Sequence, residues 1–547
     1  SGEFALSPGR VLRDAGRGAW IAENVNNRAG RSDFEASLDQ LQAALPRVKR
    51  VALVVAWFGD DLRAGSCRIR PGVEIAEKRT RPVAWEVAGV TRGAAYVVSA
   101  TEGRPNYGGT PDDSSVIAAI AALKARGMEV TLYPFILMDV PPGNGLPDPW
   151  GGAEQGAFPW RGRITCSPAA GYTGTVDKTA TAGTQIDTFF TGTEGYRAMV
   201  LHYANLLSSK AIDTFIIGSE LVGVTQTRSS ASAYPGVSQL VTLAADVSAI
   251  LGGSKKVGYA ADWSEYHSHR PADGSNDVYF NLDPLWSSAD IDFIGIDNYL
   301  PVADWRTSFG HLDYDADGPV SEYDPNYIKA NIEGGEYFDW YYASSSDREA
   351  QVRTPITDGA YGKHWVFRQK DMRSWWLNAH KNRPGGVESA SATSWTAQSK
   401  PIWFTEFGCP AVHLGTNQPN VFYDPKSSES FYPYFSNGKR DDSIQRMYLE
   451  SMLQYWRDNA PTSGVYGDKM VKPANMFIWT WDARPFPAYP SQLEVWSDGD
   501  LWLKGHWMSG RIDGAVLPRL VASICRRAGL SDAQIDVAGA ELRVQSP

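Results

Sequence analysis

Apolar, strand-forming runs alternate with amphipathic helical patterns along most of this chain, and that alternation limits the fold more than any other feature. Strand candidates begin near residues 51, 95, 130, 214, 257, 292, 402 and 476, among them "RVALVVAWFGDD", "AAYVVSA", "DIDFIGIDNYL" and "KPIWFTEFGCP". Helical patterns such as "GYRAMVLHYANLLSSKA", "VSQLVTLAADVSAILG" and "DSIQRMYLESMLQYWRD" lie between them. Strands this continuously apolar are buried on both faces, which parallel β/α units achieve by laying helices over the sheet. Eight such units predict an α/β fold of the closed (β/α)8 TIM-barrel type. No GxGxxG or Walker loop argues for an open, doubly wound sheet instead. Long loop insertions are expected, one Gly/Pro/Trp-rich over 141–190 and another near 305–395. The reading divides the chain into a lead-in (1–47), the barrel (48–511) and a short helical extension (512–547) that begins a following domain. The opening "SGEFALSPG" has neither an initiator Met nor an apolar signal core, and reads as a vector-derived scar on a piece of something longer.

Composition narrows the partners. Of 547 residues, 43% are hydrophobic and 21% charged, the balance of a globular chain with a large core. Lys plus Arg number 52 against 62 Asp plus Glu, and the net charge of −10 disfavours nucleic acid as a partner. No apolar run approaches the length of a membrane span, so no membrane insertion is expected. Cys67, Cys166, Cys409 and Cys525 are scattered without a CxxC pair, and are expected to be free thiols rather than a disulfide or zinc framework. The eight histidines are dispersed and HExxH is absent, so neither a metal nor any other cofactor is expected. Twenty tryptophans exceed what packing alone asks for, and indoles suit the apolar faces of sugar rings.

Two strand candidates end in a bare carboxylate. "IDTFIIGSEL" delivers Glu220 on the fourth strand and "PIWFTEFGCP" delivers Glu406 on the seventh. A closed barrel brings both to its carboxyl-end mouth, where barrel active sites are built. Two facing carboxylates suit glycoside hydrolysis, one protonating the leaving oxygen and the other attacking the anomeric carbon. Other strand ends add Trp57, then Asp262, Trp263 and Glu265, then Asp297, Asn298 and Tyr299, then Trp479, Trp481 and Asp482. Together they form a candidate sugar site, with carboxylates and amides for hydroxyls and indoles for ring faces. Tyr299 is placed to donate to Glu406 and favour its ionised form.

The runs "VAWFGDDLRAGSCRIRPGVE", "YGGTPDDSSVIAAIAALKARGMEVTLYPFILMDVP", "PWRGRITC", "YAADWSEYH", "IDFIGIDNYLPVADWR", "SKPIWFTEFGCPAV" and "QPNVFYDPKSSES" resemble the TIM-barrel-like glycosidase domain of gene transfer agent and phage-like tail host-specificity proteins. The resemblance covers roughly residues 48 to 510. It implies a barrel within a tail-tip protein, neighboured by other tail and baseplate proteins, and acting on an oligo- or polysaccharide of the bacterial envelope. The glutamate arrangement also resembles the large clan of retaining glycosidases, which implies Glu220 as acid/base and Glu406 as nucleophile. Ser219 departs from that clan, most members of which have Asn there to contact the sugar 2-hydroxyl. The competing expectations are a carbohydrate-binding tail module without turnover and a purely structural baseplate barrel.

Overall fold

A computed structural model of the protein describes residues 2–308 and 310–511, and the backbone of residues 535–538 and 541–544. Seven parallel strands form the barrel wall in strict chain order: β1 Arg50–Gly59, β2 Glu129–Met138, β3 Thr214–Ser219, β4 Lys256–Asp262, β5 Phe293–Asn298, β6 Ile402–Phe407 and β7 Met476–Ile478. Sequential order with every neighbour parallel is the winding of a TIM-type barrel, not of a doubly wound sheet. Helices pack outside it, including α1 Asp33–Ala44, α2 Asp113–Ala125, α3 Ala180–Phe190, α4 Tyr196–Leu207, α5 Pro235–Leu251 and α6 Asp442–Asn459. Three start at side-chain caps that satisfy their first free N–H groups. Ser32 accepts from Glu35 N, Asp112 from Ser115 N, and Asp441 from Ser443 and Ile444 N.

The strand expected near residue 95 is not part of the wall. β1 and β2 pair directly over ten residues, from Arg50↔Glu129 to Gly59↔Met138, so no strand lies between them. Tyr96–Val97 instead pairs with Gly72–Val73 in a separate small sheet above the barrel. Val97 is 46% exposed there, which a strand buried on both faces would not allow. The segment serves the loop that spans β1 and α2, where Tyr96 OH and Ser99 N both donate to Asp139 Oδ2 at 2.7 Å.

Among the described residues no ladder joins β7 back to β1. The seam is bridged at its foot by Arg50, whose guanidinium donates to Ala474 O (3.1 Å) and to Asn475 Oδ1. Helix α1 covers it with Phe34, Leu38 and Leu41, which belong to the same buried core as the barrel strands. Inside the barrel a second core holds Tyr133, Ile216, Ala260, Phe293 and Trp403, with the Phe293 and Trp403 rings stacked at 4.0 Å.

The helical extension expected over 512–547 falls mostly outside the described residues. Its described part is β rather than helical, with Ile535–Ala538 and Glu541–Val544 paired antiparallel, as the alternation in "IDVAGAELRV" allows. No helix among the described residues is long and apolar enough to cross a membrane. Cys67, Cys166 and Cys409 are buried free thiols, and Cys525 lies outside the described residues.

Candidate active site

Strand alternation alone would not bring the two glutamates inward, and both strands carry an irregularity immediately before them. From Trp403, which faces the interior, the period of two keeps Thr405 inside and turns Glu406 out. β6 takes two steps from Phe404 to Glu406 where β5 takes one, from Ile296 to Asp297, and this bulge turns Glu406 back inward. β3 takes three steps from Ile216 to Ser219 where β4 takes two, from Gly258 to Ala260, which brings Ser219 inside. Glu220 then adopts φ +50°, a left-handed conformation that costs a non-glycine residue about 1 kcal/mol and is held by its N–H bond to Ala260 O at 2.8 Å.

One carboxylate oxygen from each of Glu220, Asp297 and Glu406 lies within 4.8 Å of the others. All three groups are buried, at 7%, 0% and 4% exposure respectively. Arg161 supplies the positive charge against them. Its Nη2 lies 2.8 Å from Glu220 Oε2 and donates to Ser219 Oγ at 2.6 Å, while Nε donates to Ser219 O at 3.0 Å. Trp160 Nε1 donates to the same Glu220 Oε2 at 2.7 Å. Tyr299 OH donates to Glu406 Oε2 at 2.7 Å, as its place in the sequence suggested, and Glu406 Oε1 is buried without a hydrogen-bond partner. A buried bare carboxylate oxygen is costly to a fold and useful to a nucleophile.

Burial, then the neighbouring Glu220 charge, pushes the Glu406 carboxyl up to about 7, against the pull of Arg161 and Tyr299. This carries a stability cost with a definite sign. A carboxyl whose folded pKa exceeds its unfolded value of 4.5 costs nothing below pH 4.5, and its penalty grows as pH rises toward 7. Glu406→Gln, which does not titrate, is therefore expected to raise the unfolding free energy by ~3 kcal/mol at pH 8 and by nearly nothing at pH 4.5. Urea denaturation at the two pH values measures it, and an equal gain at both would contradict the assignment.

A cavity of ≈ 1840 Å³ opens over the pair and continues down the β7–β1 seam. Its wall includes Trp160, Arg161, Asp262, Trp263, Tyr299, Trp479, Trp481 and Asp482. Trp479 stacks on Phe135 at 6.1 Å and 10°, and the Arg161 guanidinium lies 3.6 Å from the centre of the Phe135 ring. Trp263 packs against Tyr337. Burial and the Glu220 charge hold the Asp262 carboxyl well above the ordinary range. Trp481 donates to Ser37 Oγ at 2.9 Å, and Asp482 is held by Arg484 (2.7 Å) and by Trp507 Nε1 (2.9 Å).

Four of the expected site residues lie off the cavity. Trp57 has the outward parity of β1 and donates to Tyr203 OH on α4 at 3.1 Å. Glu265 sits behind β4, fully buried, accepting from Thr225 Oγ1 (2.6 Å), Tyr259 OH (2.8 Å) and Asp262 N (3.1 Å). Asn298 is buried at the end of β5, where its Oδ1 faces Leu300 N at 3.4 Å. Asp297 lies beneath the two glutamates rather than on the cavity wall. The site also contains residues that strand-end reasoning missed. Trp160 and Arg161 come from the long loop before α3, and Tyr133 points inward from mid-β2. The only sequence signal for the first two was "PWRGRITC", a Trp–Arg pair in a loop otherwise rich in Gly and Pro.

Solved structures similar to the chain include the GH113 β-mannanase AaManA from Alicyclobacillus acidocaldarius in complex with ManMIm. That match has 13% identity, covers 90% of this chain and 93% of that one, and gives a TM-score of 0.39. A complex of GH113 β-1,4-mannanase matches at 14% identity, with 77% of each chain covered and a TM-score of 0.36. A structure from a study of two fungal β-1,4-galactanases matches at 13% identity, covering 67% of this chain and 80% of that one, with a TM-score of 0.25. Likeness at this level carries no weight for function. No curated protein matches the chain. The model of the GTA TIM-barrel-like domain matches residues 194–490, more than half of the chain and including both glutamates, and this protein belongs to that family.

Proposed function

We propose that this barrel is a retaining glycoside hydrolase acting on a β-linked glycan of the bacterial envelope, carried by the tail-tip protein of a gene-transfer-agent or phage-like particle. The observation that supports it best is the pairing of Glu220 with Glu406, their oxygens within 4.8 Å and Glu406 Oε1 bare. Retaining enzymes hold their carboxyl groups about 5–5.5 Å apart, whereas inverting enzymes leave roughly 6.5–9.5 Å for a water. In this reading Glu406 Oε1 attacks the anomeric carbon while Glu220 protonates the departing oxygen. Because Trp160 and Arg161 both hold Glu220 Oε2, the transferred proton belongs on Oε1. Water then enters on the face the leaving group left, loses its proton to Glu220 and breaks the bond from the anomeric carbon to Glu406, which returns as carboxylate while the sugar leaves with its configuration retained. Aryl glycosides and purified envelope polysaccharides test the activity, and NMR of the first-formed anomer tests retention. A first product of inverted configuration rules out the double displacement.

One observation favours exchanged roles. Among the described residues Arg161 makes its ion pair with Glu220, at 2.8 Å, and none with Glu406. The leaving-group experiments in the Discussion separate the two assignments.

The stacked Trp479–Phe135 pair is the platform for a sugar ring. Trp479→Ala is expected to weaken glycan binding by about tenfold, with an unchanged far-UV circular dichroism spectrum. Calorimetry on the Glu406→Gln background measures binding without turnover, and undiminished affinity would remove Trp479 from the site.

A further inference from the structure

Resting on that reading, we infer that Asp297 is a positioning residue that carries a resident proton of the carboxylate cluster, so that Glu406 can ionise beside it. The charge arrangement leads to this. Around the floor of the site stand Glu220 from the end of β3, Asp262 from β4, Asp297 from β5 and Glu406 from β6, with Tyr133 from β2 and Tyr299 just after β5. The cation among them is Arg161, and its short contacts go to Glu220 and Ser219.

Asp297 is the member with no exposure, and hydroxyl groups surround it. Thr405 Oγ1 lies 2.7 Å from its Oδ1, while Tyr133 OH and Ser219 Oγ lie 3.0 and 3.2 Å from its Oδ2. Hydroxyls donate or accept. The Tyr133–Ser219 pair, itself 2.8 Å apart, can therefore turn to receive a proton from Oδ2 without any group moving. Glu220, by contrast, meets a guanidinium and an indole N–H, both donors only. Burial, followed by the charges of Glu406 and Glu220, independently pushes the Asp297 carboxyl well above the ordinary carboxylate range.

Consequently Asp297 keeps its own charge unchanged through the cycle, and the proton moved in catalysis belongs to Glu220 alone. A buried Asp kept only for packing predicts no particular protonation state, so the test reads the proton. Infrared difference spectroscopy at pH 8 between the wild type and Asp297→Asn should show loss of one protonated-carboxyl C=O band. That measurement needs no turnover, so it stands even if the chain cleaves nothing.

The second readout is the acid limb of kcat/KM, whatever the rate. An ionised Asp297 holds Glu406 up, and its replacement by Asn would lower that limb by about one unit or more. A neutral Asp297 leaves the limb where it is. If Asp297→Asn does not fold, carboxyl-13C aspartate labelling of the wild type reads the same proton, with Asp262→Asn assigning the other buried candidate. The expected result is a band lost with the limb unmoved. No lost band, or a limb that drops by a unit, overturns the proposal.

Discussion

Glu406→Gln is expected to abolish turnover on every glycoside, lowering kcat by on the order of 10⁴-fold or more. The amide is isosteric with the carboxyl and keeps an oxygen for the Tyr299 hydroxyl at 2.7 Å. What it lacks is a charged oxygen at the bare Oε1 position, and without that no glycosyl-enzyme forms. The loss is independent of the leaving group, because every substrate needs the Glu406 oxygen to close on the anomeric carbon as the leaving group departs. Substrate binding should survive, since neither the Trp479–Phe135 stack nor Arg161 is touched. The expected signature is a measurable Kd by calorimetry with no product on natural or activated substrates. If wild type and Glu406→Gln bind a glycan equally and neither cleaves any substrate, the barrel is a recognition module. If Glu406→Gln keeps its activity on activated aryl glycosides, the roles of the two glutamates are exchanged, as the Arg161–Glu220 ion pair favours.

The barrel and the identity of its two glutamates were legible in the sequence because both rest on local pattern. Seven of the eight strand candidates are parallel wall strands, each a continuous apolar run between helices. "AAYVVSA" has the same composition but pairs elsewhere, since composition does not say which edge a strand meets. Tyr299 could be matched to Glu406 because consecutive wall strands are neighbours, and β5 and β6 pair directly. Trp57 was misplaced because a strand end shows which residues are polar or aromatic but not which face they occupy. Its parity on β1 sends it to Tyr203. The bulges on β3 and β6 were invisible for a related reason. They are set by pairing across strands far apart in sequence, yet they decide where Ser219 and Glu406 point. Arg161 lies in a loop whose return to the mouth no periodicity encodes, and its position alters the electrostatics of the whole cluster.

Replacing Glu220 should produce a different failure. Its task is to give a proton to the departing oxygen and later to take one from water, and general acid–base assistance of this kind is worth roughly 10²–10⁴-fold. Glu220→Gln removes both functions but leaves Glu406 to attack. Natural glycosides, whose leaving alkoxide needs the proton, should slow by about that factor. Dinitrophenyl glycosides leave without a proton, so their first step should keep most of its rate and the glycosyl-enzyme should accumulate as a burst. Removing the carboxylate in Glu220→Ala opens space beside Arg161 and Trp160, and this favours entry of a small anion. Azide needs no general base. It should attack the anomeric carbon of the accumulated intermediate, displace Glu406 and give a glycosyl azide of retained configuration, with the steady-state rate rising with azide concentration. NMR of that product fixes the stereochemistry. A glycosyl azide of inverted configuration would mean that azide had attacked directly in place of the missing Glu220 carboxylate, and would assign Glu220 as the nucleophile. The same loss on dinitrophenyl and natural substrates, with no azide rescue, would remove Glu220 from acid–base chemistry altogether.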